Sequence, residues 1–289
     1  MAKLISGKTI LIIGGAGFIG WSLARTLSDN EVVILDDLSN PCVLFDPEKF
    51  EFHKSSVTYI SDVLGRRNFD YIFHFGEYSR VEQSLNEFQY VFDQNTRQLP
   101  SLLEYCKMVG AKLVYSGSSS IFSDMKYPER LSPYTLFKKL NCDILKSYAY
   151  WYGLDYAICY FSNVYGIGEC NSEGYQTVVE KFISMVLAGE KHLPVTGDGL
   201  QVRQFTSVQD TIDGIIRVAK LGSGDNFCIT AGKEYSILDL VKLVGGIPKF
   251  NPDKITNRRS TTISASKLHA LGWRPQESLE EYVQSRLIK

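Results

Sequence analysis

The sequence predicts an α/β protein, a doubly wound parallel sheet with a smaller carboxyl-terminal α/β lobe. Three observations predict it. Short runs that are apolar throughout recur along the first 165 residues, as strands buried on both faces require. Segments of helical periodicity alternate with those runs, the pattern of parallel strands joined by crossovers. The first run leads straight into a glycine-rich turn that opens a helix, and such turns sit where doubly wound sheets bind ligands. A chain of 289 residues, 44% hydrophobic and 22% charged, is long enough for one large core or for a large and a small one.

Taken in order, Lys8 to Ile13 is the first strand, Gly14 to Gly20 holds the turn, and Phe18 to Leu27 is an amphipathic helix. Glu31 to Leu35 is the second strand and ends in Asp36 and Asp37. Tyr71–Phe75, Lys112–Ser116 and Asp155–Phe161 read as further buried strands, with helices over about 88–109 and 133–152. The alternation loosens after about residue 165. Beyond it come glycine turns (Gly197 and Gly199, Gly222 and Gly224, Gly245 and Gly246) and short helical segments. The expected division is 1–165 for the larger domain and 166–289 for the smaller lobe, with some crossing of the chain between them.

The net charge of −1 offers no field for nucleic acid or an anionic membrane. No apolar stretch approaches the roughly 18 residues of a membrane span. The first residues run into a strand and leave no room for a signal peptide. The six cysteines (42, 106, 142, 159, 170, 228) lack CxxC spacing, so neither a disulfide framework nor a metal site is expected, and a reducing cytoplasm fits.

The chemistry begins at the turn. Gly14, Gly15, Gly17 and Gly20 satisfy both GxGxxG and GxxGxxG. A tight turn, close approach of a pyrophosphate to bare backbone and close helix packing each ask for glycine there. Asp36 closes the next strand 16 residues after Gly20. A carboxylate at that place accepts hydrogen bonds from ribose hydroxyls and repels a 2′-phosphate, which favours NAD over NADP. Tyr134 and Lys138 stand four apart on one helical face. Just before them, Lys112–Ser116 runs into a hydroxyl-rich turn, Ser116 to Ser120. An ammonium beside a phenol favours the phenolate, and so makes a general base. Ser118 can hold the substrate oxygen while a nicotinamide carries the redox step.

With those residues in place, the sequence resembles the extended short-chain dehydrogenase/reductase family of nucleotide-sugar epimerases, dehydratases and dehydrogenases, over nearly its whole length. Gly14–Gly20 and Asp36 match the cofactor motif of that family's Rossmann-type domain. Ser118, Tyr134 and Lys138 match its catalytic Ser/Thr, Tyr and Lys. Asn163 to Gly166 resembles its NVYG turn, and Gly197 to Phe205 its GDGxQxRDF segment. Ser266-Lys267 and Leu271 to Trp273 resemble its closing motif. The resemblance implies further NAD(H) contacts from Phe18, Ile19, Asp37, Ser56, Val57, Phe75, Gly76 and Asn95, as well as from Tyr134 and Lys138. It implies substrate contacts from Arg80, Ser119, Asn163, Val178 and Arg203, with either Arg258 or Arg259 at a diphosphate. His74, at the end of a buried-looking strand, reads as a packed core residue.

The chain also departs from the family. Dehydratases of the group carry Asp-Glu after the catalytic Ser/Thr, whereas this chain has Ser119 and Ser120. That argues against 4,6-dehydration and leaves oxidation at C4 of a hexose or heptose. The stretch from Ser118 to Tyr134 is short for the family, Ser56 replaces an aspartate beside adenine, and Glu77 to Arg80 bring charge to the expected sugar side. Arg80 is there either a substrate contact or a partner of Glu77 or Glu82. The resulting expectation is a 4-epimerase. A 4-dehydrogenase releasing a keto sugar (for example on GDP-linked heptose in surface-glycan pathways) and a non-catalytic NAD sensor remain as alternatives. By the same resemblance a homodimer is expected through the helices over 88–109 and 133–152.

Overall fold

The apolar run Thr9–Ile13 forms strand β1, and its last four residues are buried. Their side chains alternate between two cores, as the pleat of a strand requires. Ile10 and Ile12 pack on one face of the sheet, Leu11 and Ile13 on the other. In this computed structural model, which describes residues 4–122, 131–169, 176–254 and 259–288, the first half of the chain continues in strict βα order. After β1 come α1 (Phe18–Thr26), β2 (Glu31–Asp36), β3 (Glu51–Lys54), α2 (Ile60–Leu64) and β4 (Tyr71–His74). Then follow α3 (Phe88–Phe92), a π-helical turn (Asp93–Arg97), α4 (Leu99–Val109), β5 (Lys112–Ser118), α5 (Pro133–Tyr152) and β6 (Tyr156–Phe161). The second half comprises β7 (Asn163–Tyr165), α6 (Val178–Leu187), β8 (His192–Thr196), β9 (Val202–Ser207), α7 (Val208–Leu221) and β10 (Gly224–Ile229). It ends with β11 (Glu234–Ser236), α8 (Ile237–Leu243), β12 (Ile247–Asn251), α9 (Ser266–Ala270) and α10 (Leu279–Leu287).

Seven strands form one sheet in the order β10-β6-β5-β4-β1-β2-β3, and every pairing in it is parallel. The order reverses direction at β1. One crossover leads outward to β2, the later ones to β4 and beyond, so a crevice opens past the carboxyl ends of β1 and β4. The expected doubly wound sheet is present. The smaller lobe lies on β7, β9 and β11 and on the pair β8–β12, around Val179, Phe182, Leu193, Phe205 and Leu240.

Three features differ from the sequence expectation. β3 has no apolar run, because it is the edge of the sheet and its four residues are half-buried or exposed. The expected helix over 88–109 is interrupted by the π turn. Pro100 has no N–H to continue the ladder there, and the carbonyl of Asn95 instead accepts from Asn141 Nδ2 at 2.9 Å. Finally, the chain passes between the two lobes repeatedly, where the expectation of 1–165 and 166–289 allowed some crossing. β7 already pairs with β9, while α7 packs on α1 and β10 returns to the large sheet beside β6.

Candidate active site

The turn after β1 explains its own glycines. Gly14 has φ +76° and lies against the backbone of Phe75 and Gly76, so no side chain fits. At Gly20 a Cβ would run into the carbonyl of Gly14. Gly17 is different. It is the N-cap of α1 with an extended backbone, and the nearest atom to an added Cβ is the Gly14 oxygen at 3.3 Å. Protein packing does not demand glycine here, but a phosphate approaching the helix N-terminus does. Gly17 lines the cleft, so the turn fits a dinucleotide pyrophosphate.

Asp36 ends β2 on the same cleft. Its Oδ2 accepts from Ala16 N at 3.0 Å and its Oδ1 from Leu38 N at 2.8 Å. Burial raises its pKa, an effect that the two backbone donors only partly offset. Phe18, Ile19, Asp37, Ser56, Val57, Phe75 and Gly76 line the cleft as well. Ser56 caps a short 3₁₀ turn and donates to Gln98 Oε1 at 3.2 Å. The NAD contacts suggested by the sequence are thus brought together, with one exception. Asn95 is buried outside the lining; its Oδ1 accepts from Tyr78 N at 2.7 Å and its Nδ2 donates to Tyr78 O at 3.1 Å. It clamps the loop after β4 instead of reaching into the cleft.

The cleft, with a cavity volume of ≈ 370 Å³, also holds Ser118, Tyr134 and Lys138. Their placement follows from local sequence. Ser118 is the last residue of β5. Ser132 caps α5 through Thr135 N, and Pro133 supplies the first turn. Tyr134 therefore enters at the start of the helix and Lys138 one turn later on the same face. Ser118 Oγ donates to Ser120 Oγ at 2.9 Å, and Thr135 Oγ1 donates to the same oxygen at 3.1 Å. Lys138 is buried and its Nζ donates to Ser116 O at 2.7 Å.

Glu77 lines the cleft, and its side chain, 1% exposed, pairs with Lys138 at 2.5 Å. His74 Nε2 lies 3.4 Å from it, the Tyr115 hydroxyl donates to it, and Asn141 Nδ2 donates at 3.3 Å. Burial alone would raise its pKa, but the charge of Lys138 and the hydrogen bond of His74 more than offset this and hold it down to about 2. Glu82 pairs with Lys254.

On the substrate side Arg80, Ser119 and Asn163 line the cleft, and Asn163 Nδ2 donates to Gln204 O at 3.0 Å. Val178 begins α6 next to Thr177 but lies outside the lining and packs on the small core. Arg203 is also outside it, with Nη1 donating to Val202 O at 2.7 Å. Arg259 forks onto Asp198 at 2.6 and 2.8 Å, and Arg258 falls outside the described residues. Sequence reasoning missed Glu169. It is buried at the cleft, accepts from Thr177 N and Oγ1, each at 2.9 Å, and burial raises its pKa to about 7. No spacing in the sequence marks it.

A parallel sheet with this turn, this carboxylate and a Ser–Tyr–Lys set on one cleft defines an NAD-dependent enzyme. The chain belongs to the NAD dependent epimerase/dehydratase family, whose model matches residues 10–229, the span from β1 to the last residue of β10. It is 30% identical over 298 residues to the UDP-glucose 4-epimerase of Mycolicibacterium smegmatis, covering 94% of this chain and 95% of that one. It is 26% identical to the dTDP-D-glucose 4,6-dehydratase of Bos taurus, covering 97% and 88%. Among solved structures, the UDP-glucose 4-epimerase of Thermotoga maritima with UDP-glucose superposes with a TM-score of 0.87 at 26% identity, covering 97% of each chain. Among the described residues no helix is long and apolar enough to cross a membrane.

Proposed function

We propose that this chain is a nucleotide-sugar 4-epimerase that uses NAD as a recycled cofactor. The observation that carries the reading is the wall shared by Ser118, Tyr134 and Lys138 with the glycine turn and Asp36. Hydroxyls of Ser119 and Ser120 stand where dehydratases of the family carry an acid and a base. The epimerase relatives support it, and their UDP sugars are the first substrates to assay.

In this reading Gly14, Gly17, Gly20 and Asp36 hold the cofactor. When bound, NAD accepts a hydride from the sugar and gives it back. Tyr134, as phenolate, takes the proton of the C4 hydroxyl. Ser118 donates a hydrogen bond to the same oxygen and fixes its direction. Lys138, an ammonium pinned by Ser116 O and Glu77, favours the phenolate through its charge. After the sugar turns over, Tyr134 returns the proton to the oxygen on the opposite side. Asn163, Ser119 and Arg80 are the sugar-side contacts; Val178 and Arg203, outside the cleft lining, and Arg258 are assigned to the nucleotide sugar. Asn95 serves the cofactor indirectly, by holding the loop that carries Phe75 and Gly76.

The test incubates purified protein with UDP-glucose, UDP-galactose and GDP-linked hexose or heptose. Product is read by NMR at C4 and reduced nicotinamide by its near-ultraviolet absorbance. A C4-inverted sugar without net reduced cofactor supports the epimerase. Accumulating reduced cofactor without an inverted sugar overturns it in favour of a 4-dehydrogenase.

The same proposal includes a homodimer through α3–α4 and α5, where Phe88 (54% exposed), Leu136, Leu140 and Trp151 (66%) leave an apolar face. Light scattering giving a monomer at micromolar concentration refutes it. A cytoplasmic location is supported by the buried thiols of Cys106, Cys142, Cys159 and Cys228, and cell fractionation tests it.

A further inference from the structure

A lone ammonium inside a protein loses its proton readily, because burial disfavours the charged form and can bring a lysine into the neutral range. Lys138 is 3% exposed, so its charge needs a counterion. The groups that face it can be counted by element. From β5 come Ser116, through its carbonyl and hydroxyl, and the ring of Tyr115. From α5 come Tyr134 and Cys142. From β4 and its loop come Glu77 at 2.5 Å and, behind it, His74. Burial pushes the phenol of Tyr115 well up and the thiol of Cys142 up to about 12, so both remain neutral. Among the described residues facing Lys138, Glu77 is the carboxylate.

We propose that Glu77 is a positioning residue for the catalytic set: its carboxylate keeps Lys138 an ammonium, one helical turn from Tyr134, into alkaline solution. The fold is arranged to keep Glu77 itself ionised. Tyr115 and Asn141 donate to Oε1 while Lys138 takes Oε2, and the donors come from β5 and α5, two elements that also form the wall of the cleft. Glu77 acts through Lys138, and its effect is to separate the field that activates Tyr134 from the pH of the medium. With the counterion removed, Lys138 keeps only the neutral acceptors of Ser116, and its charge is lost as pH rises.

The experiment compares wild type and Glu77→Gln, each full length and loaded with NAD, by their rates between about pH 6 and pH 10. The inference rests on the epimerase reading only for this assay. The expected result is a variant within about threefold of wild type near pH 6 that loses at least tenfold more activity than wild type by pH 9.5, with KM changed less than threefold. Glu77→Asp, which restores the charge, should move the alkaline fall back toward wild type. Profiles that superimpose, or an alkaline fall that Glu77→Asp leaves in place, overturn the proposal.

If Glu77→Gln does not fold, a melting comparison replaces the rates. Lys138→Met leaves a buried carboxylate without its ammonium partner, so the double variant Lys138→Met/Glu77→Gln should melt above Lys138→Met. A double variant no more stable than Lys138→Met overturns the pairing. This arm needs no substrate, so a wild type inactive on every sugar would refute the reaction and leave the inference about Glu77 separately decidable.

Discussion

Replacing Gly17 by alanine separates architecture from ligand binding at a single methyl group. In the folded chain the methyl meets one atom, the Gly14 oxygen at 3.3 Å, which needs a shift of a few tenths of an ångström. Alanine is a poorer N-cap than glycine, by about 0.5–1 kcal/mol. It also restricts the unfolded chain and so returns about 0.4–1 kcal/mol. These nearly cancel, and the cofactor-free protein should melt within about 2–3 °C of wild type. The cleft side is not balanced in this way. The methyl projects where a pyrophosphate would lie, and losing one charge-assisted hydrogen bond costs about 1.5–3 kcal/mol. The dissociation constant for NAD should rise about 10- to 150-fold. Differential scanning fluorimetry without cofactor and isothermal titration with NAD read the two halves. An unchanged affinity, or a cofactor-free melting point lowered by more than about 5 °C, would refute the reasoning. Gly20→Ala is the contrast, because its Cβ collides with the Gly14 carbonyl inside the protein, and that variant should be destabilised before any ligand is added.

Two further outcomes follow from buried polar groups. Glu169 has a folded pKa near 7, above its ordinary 4.5. The protonated form is therefore favoured in the fold, and this contribution to stability is full below pH 4.5 and lost as pH rises through about 7. The shift corresponds to about 3 kcal/mol at most, so Glu169→Gln should gain several degrees on wild type between pH 4.5 and 8, read as the difference in melting temperature; a constant difference across that range contradicts the assignment. Asn95→Ala removes both side-chain bonds to Tyr78 and strands a buried backbone N–H, which costs about 2–4 kcal/mol and should raise hydrogen exchange at residues 76–80, whereas unchanged exchange there would show that the clamp is idle.

Much of the cleft was legible because its parts are local. Gly14 to Gly20 and Asp36 are a turn and the end of the next strand. Tyr134 and Lys138 are one helical turn apart behind a Ser-Pro cap, and each such pattern is contained in a few residues. What the sequence did not show depends on partners distant along the chain. Glu77 meets Lys138 across 61 positions, and Asn95, within the π turn, bonds Tyr78 across 17. Glu169 owes its raised pKa chiefly to burial, with the charge of Glu180 adding to it, and burial in a loop leaves no periodicity to read. β3 was missed because an edge strand needs no apolar run, and the return of β10 to the large sheet is a matter of topology.

That return has a consequence for how the protein is made. The chain leaves the large sheet at β7, comes back through α7 and β10, leaves again for β11 to β12, and returns once more. On the last return Trp273 Nε1 donates to Asp210 O at 3.0 Å, and the backbone N–H groups of Gln276 and Glu277 donate to the Asp210 carboxylate. α10 then crosses to close the small core with Leu279 and Val283. These bonds tie residues 273–277 to α7, some 60 positions back along the chain. A nascent chain halted before residue 224 has β6 as a bare edge, open to pairing with a neighbouring chain. Once Gly224–Ile229 has paired with β6, that edge is covered.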